Sequence, residues 1–252
     1  MSTLAVGIDI GGTGIKGALV DTELGELASE RVKVATPDGG DPDAVLATVA
    51  EMVAGFGADA AEVPVGVCFP AIVRRGRTMS AANVSKRWIG LDAESLFENA
   101  LHRGIHFVND ADAAGVAEAG FGAARGVDGL VIMTTLGTGI GSAFLYDGVL
   151  VPNTELGHLE IDGKDAESRA SYAAKERGGL DWDDWATRLQ RFYSRVEFLF
   201  SPELLIVGGG VSKHYREFLP LLELETPIVP AVLRNNAGIL GAAWLAARPA
   251  RA

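Results

Sequence analysis

Three glycine-rich turns and two polar clusters hold the residue types best suited to chemistry in this 252-residue chain. The first turn, Asp9-Ile10-Gly11-Gly12-Thr13-Gly14-Ile15-Lys16, joins two apolar runs. Its glycines let backbone N–H groups approach a phosphate, while Thr13 adds a hydroxyl and Lys16 a positive charge. It is not a Walker loop, because the spacing differs and the chain continues into a strand instead of a helix. Leu136-Gly137-Thr138-Gly139-Ile140-Gly141 has the same character, and Val207-Gly208-Gly209-Gly210-Val211 runs from a strand toward Ser212, a position suited to a nucleotide or a phosphate chain. One such turn is usually structural; two in equivalent contexts are harder to dismiss.

Between the first two turns lies Phe107-Val108-Asn109-Asp110-Ala111-Asp112. An acidic residue at the carboxyl end of an apolar strand, just before a helix, can act as a base toward a hydroxyl. Asp110 or Asp112 can equally be a helix N-cap, and this segment alone leaves both readings open. Glu155-Leu156-Gly157-His158 places a carboxylate and an imidazole three residues apart in a loop-like context, where together they accept and donate several hydrogen bonds to a polyhydroxylated ligand. A lone histidine would more often be structural.

The elements that must position these groups follow from hydrophobic pattern. Leu4–Ile10 and Ile15–Val20 read as a hairpin around the first glycine turn, and Glu26–Ala35 as a third strand. Asp41-Pro42 opens an amphipathic helix to about Phe56, with Asp as N-cap and Pro at N1. Val63–Phe69 and Ile105–Val108 are continuous apolar runs expected as buried strands, with a helix over Ala93–Arg103 between them. After a helix over Ala111–Ala119 the theme repeats: strand Gly129–Thr135, glycine turn, returning strand Ser142–Tyr146. A polar segment Asp162–Arg177 precedes a long helix from about Asp181 to Phe200, then strand Leu204–Val207 and a tail helix Asn236–Ala247. No linker rich in Pro or Ser separates the halves, so two lobes in close contact with a cleft between them are expected.

Composition narrows the function classes. A net charge of −11 repels nucleic acid and anionic lipid, and no segment approaches the ~20 apolar residues needed to cross a bilayer. Met1–Val6 lacks the basic and apolar regions of a signal peptide, and Cys68 is the single cysteine, so a reducing, cytoplasmic setting is expected. Arg74, Arg75, Arg77, Lys86 and Arg87 form two basic clusters that are either solvated loop charges or a local groove for a polyanion.

Taken together and in order, Gly7-Ile8-Asp9-Ile10-Gly11-Gly12-Thr13, Asn109-Asp110-Ala111, Leu136–Gly141, Glu155-Leu156-Gly157-His158 and Gly208-Gly209-Gly210-Val211 resemble the ROK family of sugar kinases and sugar-responsive repressors over nearly the whole chain. Glu155–Leu159 and Gly163–Ser171 are most similar to the bacterial polyphosphate glucokinases. The resemblance implies an actin-like (ribonuclease H-like) α/β fold with an active-site cleft between an N-terminal lobe, 1–112, and a C-terminal lobe, 113–235, the helix 236–252 packing back on the first. It implies phosphoryl transfer from polyphosphate or ATP to the 6-hydroxyl of glucose, with Asp110 as general base and Asn83, Asn109, Asp110, Glu155, His158 and Glu167 on the sugar. Gly11, Gly12, Thr13, Lys16, Gly137, Thr138, Gly139, Gly209 and Gly210 would hold the donor, with Mg²⁺ near Asp9 through water. Where most members carry a cysteine-rich zinc motif this chain has Gly163–Arg169 without cysteine, so no structural zinc is implied. A homodimer is implied as well, to which the aromatics of Asp181–Phe200 would contribute if they did not fill the core. The alternatives are an ATP-dependent kinase for mannose or an amino sugar, and a non-catalytic sugar sensor. A repressor of this family would add an N-terminal helix-turn-helix, for which a first strand at Leu4 leaves no room.

Overall fold

A computed structural model describes residues 4–248, so Met1–Thr3 and the last four residues of the helix expected over 236–252 lie outside the described residues. The chain separates into two compact units, 1–117 with 236–252, and 118–235.

The first unit is built on a six-stranded sheet. Its hairpin joins β1 (Leu4–Ile10) to β2 (Ile15–Asp21), and the antiparallel register sets Asp9 opposite Lys16. The expected strand over Glu26–Ala35 is instead two, β3 (Glu26–Leu27) and β4 (Val32–Val34), both paired with β2. The break falls at Ser29, whose Oγ accepts from the Leu19 N–H at 3.0 Å in place of a backbone carbonyl. Helix α1 (Pro42–Gly55) starts as expected, with the Asp41 carboxylate accepting from the Asp43 N–H. Strand β5 (Val65–Phe69) runs parallel to β1, and a small hairpin, β6 (Val73–Arg74) and β7 (Arg77–Thr78), follows. Helix α2 (Ala93–Leu101) leads to β8 (His106–Asn109), parallel to β5, and directly into α3 (Asp110–Phe121).

One face of this sheet carries an aromatic cluster in which Trp88 lies 4.7 Å from Phe69 and 5.9 Å from Phe97, all three fully buried. The other face receives the tail helix, Ala237–Ala246. Close approach here needs glycine: a Cβ on Gly7 would lie 2.0 Å from the Ile239 carbonyl oxygen, and one on its cross-strand partner Gly66 would lie 1.9 Å from that of Ala242. Gly241 meets the Ala113 carbonyl of α3 in the same way.

The second unit repeats the motif. Strands β9 (Leu130–Leu136) and β10 (Ile140–Tyr146) form a hairpin around the second glycine turn, and β11 (Val149–Val151), not expected from the sequence, pairs with β10. The segment Asp162–Arg177 is not merely a polar stretch. It holds part of a tight hairpin, β12 (Glu160–Ile161) with β13 (Lys164–Asp165), then α4 (Glu167–Ala170) and α5 (Tyr172–Gly178). Helix α6 (Trp182–Phe200) is capped by Asp181, and β14 (Leu204–Gly208) runs parallel to β9 and to β15 (Ile228–Pro230).

Most α6 aromatics fill the core: Trp185, Phe192 and Tyr193 are fully buried, whereas Phe198 is 76% exposed. Tyr193 shares a hydrogen bond of 2.7 Å with the Thr134 hydroxyl, and burial pushes its phenol far above the usual range. Among the described residues no helix is long and apolar enough to cross a membrane.

Candidate active site

The candidate residues are distributed over both units. In the first, the Gly11 N–H donates to the Gly14 carbonyl at 3.0 Å and closes the turn, leaving Gly12 and Thr13 exposed at its tip. Gly12 is also where Asn83 arrives, since a Cβ there would lie 2.6 Å from both the Cβ and the carbonyl oxygen of Asn83. Asn83 itself has φ +59°, a left-handed conformation that asparagine tolerates better than most residues. The fold thus places this sugar-contact candidate against the first glycine turn.

Lys16 reaches across its cross-strand pair to donate to Asp9 Oδ2 at 2.7 Å, so its charge is shared with a carboxylate. Asp9 Oδ1 lies 3.7 Å from the Cys68 Sγ. Burial pushes the Cys68 thiol up, and the negative charges of Asp9 and Asp110 push it further, so the sulfur stays protonated.

The ambiguity over the acidic pair at the head of α3 resolves in favour of a third residue. Asn109 Oδ1 accepts from the N–H groups of Ala111 at 2.8 Å and Asp112 at 3.0 Å, which is the capping interaction, and its Nδ2 donates to the Ala71 carbonyl. The Asn109 side chain is therefore largely committed to the fold, and Asp112 is buried. Asp110 is half-buried and accepts from the Ala111 N–H at 2.9 Å. It is the acid of the pair that keeps access to solvent.

In the second unit three separate motifs meet on one carboxylate. Glu167 Oε2, at the start of α4, accepts from the Ile140 N–H at 3.1 Å. A Cβ on Gly139 would lie 2.4 Å from that oxygen and one on Gly157 would lie 2.9 Å from it. The second glycine turn, the Glu155–His158 segment and Glu167 are thus held together. The Gly137 N–H donates to the Gly139 carbonyl, and the Ala173 N–H of α5 donates to Gly137, which anchors the turn beside exposed Thr138. Gly209, with φ +82°, brings the third turn against Leu136, since a Cβ there would lie 2.5 Å from the Leu136 carbonyl oxygen. Gly210 meets no such obstacle.

Burial raises the Glu155 carboxyl above its ordinary range; the His158 imidazole opposes this and Glu167 adds to it. His158 Nδ1 lies 3.1 Å from Asp165 Oδ2, a hydrogen bond that raises the imidazole pKa. Asp165 was not among the residues expected at the site, although Ile161-Asp162-Gly163-Lys164 carries the Asp-Gly signature of the tight hairpin that delivers it.

Of the basic residues, Arg87 is paired with Asp41, and Arg77 donates to the Gly90 carbonyl at 3.1 Å. No ion pair of Arg74, Arg75 or Lys86 is formed among the described residues. No group of three or more His, Cys, Asp or Glu among the described residues could hold a metal by itself. A single partly exposed carboxylate such as Asp9 still suits Mg²⁺, a hard ion that keeps several waters and takes its remaining oxygens from substrate phosphates.

The Gly139 contact makes a specific prediction. The obstructed atom is the far end of the Glu167 side chain, not backbone, so Gly139→Ala displaces Glu167 at little cost to folding. The expected result is a melting temperature within about 3 °C of the parent together with loss of the hydrogen bond from the Ile140 N–H to Glu167, checked by thermal melting and a crystal structure of the variant.

A family model described as the ROK family matches residues 5–173. The polyphosphate glucokinase of Mycobacterium tuberculosis is 47% identical over 238 residues, covering 94% of this chain and 89% of that protein. Among solved structures, the inorganic polyphosphate/ATP-glucomannokinase from Arthrobacter sp. strain KM is 57% identical, with a TM-score of 0.91 over 96% of this chain and 97% of that one. The ROK family glucokinase from Streptomyces griseus, in complex with glucose and AMPPNP, is 26% identical, with a TM-score of 0.81 over 96% of this chain and 99% of that one.

Proposed function

Since this chain belongs to the ROK family, we propose that it transfers the terminal phosphoryl group of inorganic polyphosphate or ATP to the 6-hydroxyl of glucose. Its fold is the actin-like α/β fold of the ROK sugar kinases. The observation that carries the reading is the 47% identity, over 94% of the chain, to a polyphosphate glucokinase. The convergence of Gly139, Gly157 and Glu167 on one point supports it from the structure.

Asp110 takes the proton from the glucose 6-hydroxyl as that oxygen bonds to the terminal phosphorus and the bridging oxygen of the donor leaves. Glu155, His158 and Glu167 hold the sugar hydroxyls, with Asn83 and the remaining Nδ2 hydrogen of Asn109 as further contacts. The Gly11 and Gly137 N–H groups close their own turns, so Gly12–Thr13, Thr138–Gly139 and Gly209–Gly210 are the positions that present backbone N–H groups to the donor, and Thr13 and Thr138 add hydroxyls. Lys16, held beside the first turn by its pair with Asp9, is placed to turn its ammonium group toward a donor phosphate. Mg²⁺, held near Asp9 through water, would supply charge neutralisation for the donor phosphates. Arg74, Arg75 and Lys86 lie in the clusters that flank Asn83 in sequence and extend the donor-binding surface for a long polyanion. The protein works in the cytoplasm as a homodimer, and the exposed apolar residues Val149, Val151, Phe198 and Leu199 of the second unit suit self-association.

A coupled assay for glucose 6-phosphate with polyphosphate and with ATP at matched phosphate tests the reading. Product with polyphosphate is expected; product with ATP alone would remove the polyphosphate donor, and none with either would overturn the reading. Mannose as a second acceptor is supported by the 57% identity to a glucomannokinase and is tested in the same assay.

The Glu155 environment also fixes a pH dependence. The carboxylate accepts from hydroxyls at both oxygens in charge-assisted hydrogen bonds, whereas the protonated acid loses the charge and turns one oxygen into a donor, and burial holds the proton on Glu155 to higher pH than usual. The glucose KM is therefore expected to rise as pH falls through that raised pKa. Glu167→Gln removes a neighbouring negative charge, so the acid limb of log(1/KM) should move to lower pH; an upward shift would contradict the assignment.

A further inference from the structure

We propose that Asp165 is a positioning residue for the sugar: its carboxylate accepts the Nδ1–H of His158, fixes the ring, and leaves Nε2 as the atom offered to glucose. This rests on the reading that His158 binds the sugar. The contact is 3.1 Å, and the backbone on both sides of it is fixed. Asp165 sits opposite Glu160 in the β12–β13 hairpin, whose turn uses left-handed Asp162 (φ +54°) and Gly163 (φ +71°). The Ala166 N–H donates to the Leu159 carbonyl at 2.9 Å and the Ser168 hydroxyl to the Asp165 carbonyl at 2.6 Å, so Leu159, next to His158, and Ala166, next to Asp165, are tied together.

An unrestrained imidazole exchanges tautomers and rotates, and its two nitrogens alternate between donor and acceptor. Both side chains are more than half exposed, at 59% and 54%, so a carboxylate on Nδ1 restrains that freedom without abolishing it. The neutral ring then accepts at Nε2, and the protonated ring donates there. Three acids raise the proton affinity of His158: Asp165, through its hydrogen bond and its charge, then Glu167 and Glu155. Partial burial opposes them. Asp165 in turn shares a cavity of about 200 Å³ with Asp162, Arg169, Arg188 and Arg191. Arg191 is paired with Asp162 at 2.7 Å.

The experiment combines a titration that needs no turnover with glucose kinetics. Nitrogen-15 NMR of the four histidines, with His158 assigned by its loss in His158→Ala, reads tautomer and titration point. In the parent the neutral ring is expected as the Nδ1–H tautomer, titrating above an unperturbed histidine at about 6.5. Asp165→Ala should bring the titration down toward that value and raise the glucose KM about tenfold, with kcat and the donor KM changed less than about threefold. Asp165→Asn keeps an acceptor for Nδ1–H without the charge. It should restore the KM to within about threefold of the parent while the titration stays lowered. Thermal melting confirms that both variants fold. A His158 titration and tautomer unchanged in Asp165→Ala would overturn the proposal. So would an unchanged glucose KM in Asp165→Ala beside a raised one in His158→Ala. If His158→Ala leaves the glucose KM unchanged, the sugar-binding reading of His158 fails and the proposal falls with it; a shifted titration would then mark the hydrogen bond as purely local.

Discussion

Asp110→Asn is expected to lower kcat for glucose phosphorylation by about 10³-fold while leaving the glucose dissociation constant within about threefold of the parent. The substitution keeps the shape of the side chain and an oxygen to accept from the Ala111 N–H at the head of α3, so the helix start is preserved. What it removes is the ability to take a proton. Because Asn109 supplies the capping interactions for this helix, Asp110 is not needed as a cap, and loss of its charge should be felt in turnover, not in folding. Single-turnover kinetics with polyphosphate and isothermal titration with glucose separate the two quantities. Activity near the parent level would assign the base elsewhere; unfolding would return Asp110 to a structural role.

Gly66→Ala should produce a large loss of stability for a substitution that adds one methyl group. The new Cβ would meet the Ala242 carbonyl oxygen at 1.9 Å and its carbon at 2.3 Å, and both belong to helix backbone that cannot rotate away. The tail helix would have to lift off β5, and with it off Gly7 in β1, for a cost of about 3 kcal/mol or more. For a chain of this size that corresponds to a fall in melting temperature of roughly 6–12 °C. Gly55→Ala is the matched control: it adds the same methyl group to the last residue of α1, where no atom lies within 4 Å, and should be neutral or slightly stabilising. Equal effects from the two would mean that the tail helix does not press on the sheet.

Elements with strong local chemistry were legible in the sequence. The glycine-turn hairpins, the Asp41-Pro42 helix start and the buried strands around Val67 and Val207 announce themselves through turn residues, caps and continuous apolar runs. The Ser29 break was not legible, because it depends on a side-chain oxygen finding Leu19 on a neighbouring strand. The β11 edge strand is three residues long and half exposed, too short to give a pattern. At the site, residue types and order pointed to Asp110 or Asp112 and to Glu155 with His158, while the choice of Asp110 and the role of Glu167 came from the family resemblance. That Asn109 is the cap was hidden among three polar residues within four positions, each able to fill that role. Asp165 was missed for another reason: the Asp-Gly turn that brings it to His158 lay inside a stretch whose charge made it resemble a loop.

The division of the chain has a consequence for how it is made. The first unit takes residues from both ends, with the 118 residues from Glu118 to Asn235 forming the second unit between them. A nascent chain leaving the ribosome therefore displays the bare face of β1 and β5 around Gly7 and Gly66 before the tail helix that covers it exists. From the end of β5 at Phe69 to the start of that helix at Ala237 the chain grows by 168 residues, which at about 5–20 residues per second takes roughly 8–34 s. The second unit, contiguous in sequence, can complete its own core during the wait, so the newborn protein matures from its middle outward and seals its first-made sheet last.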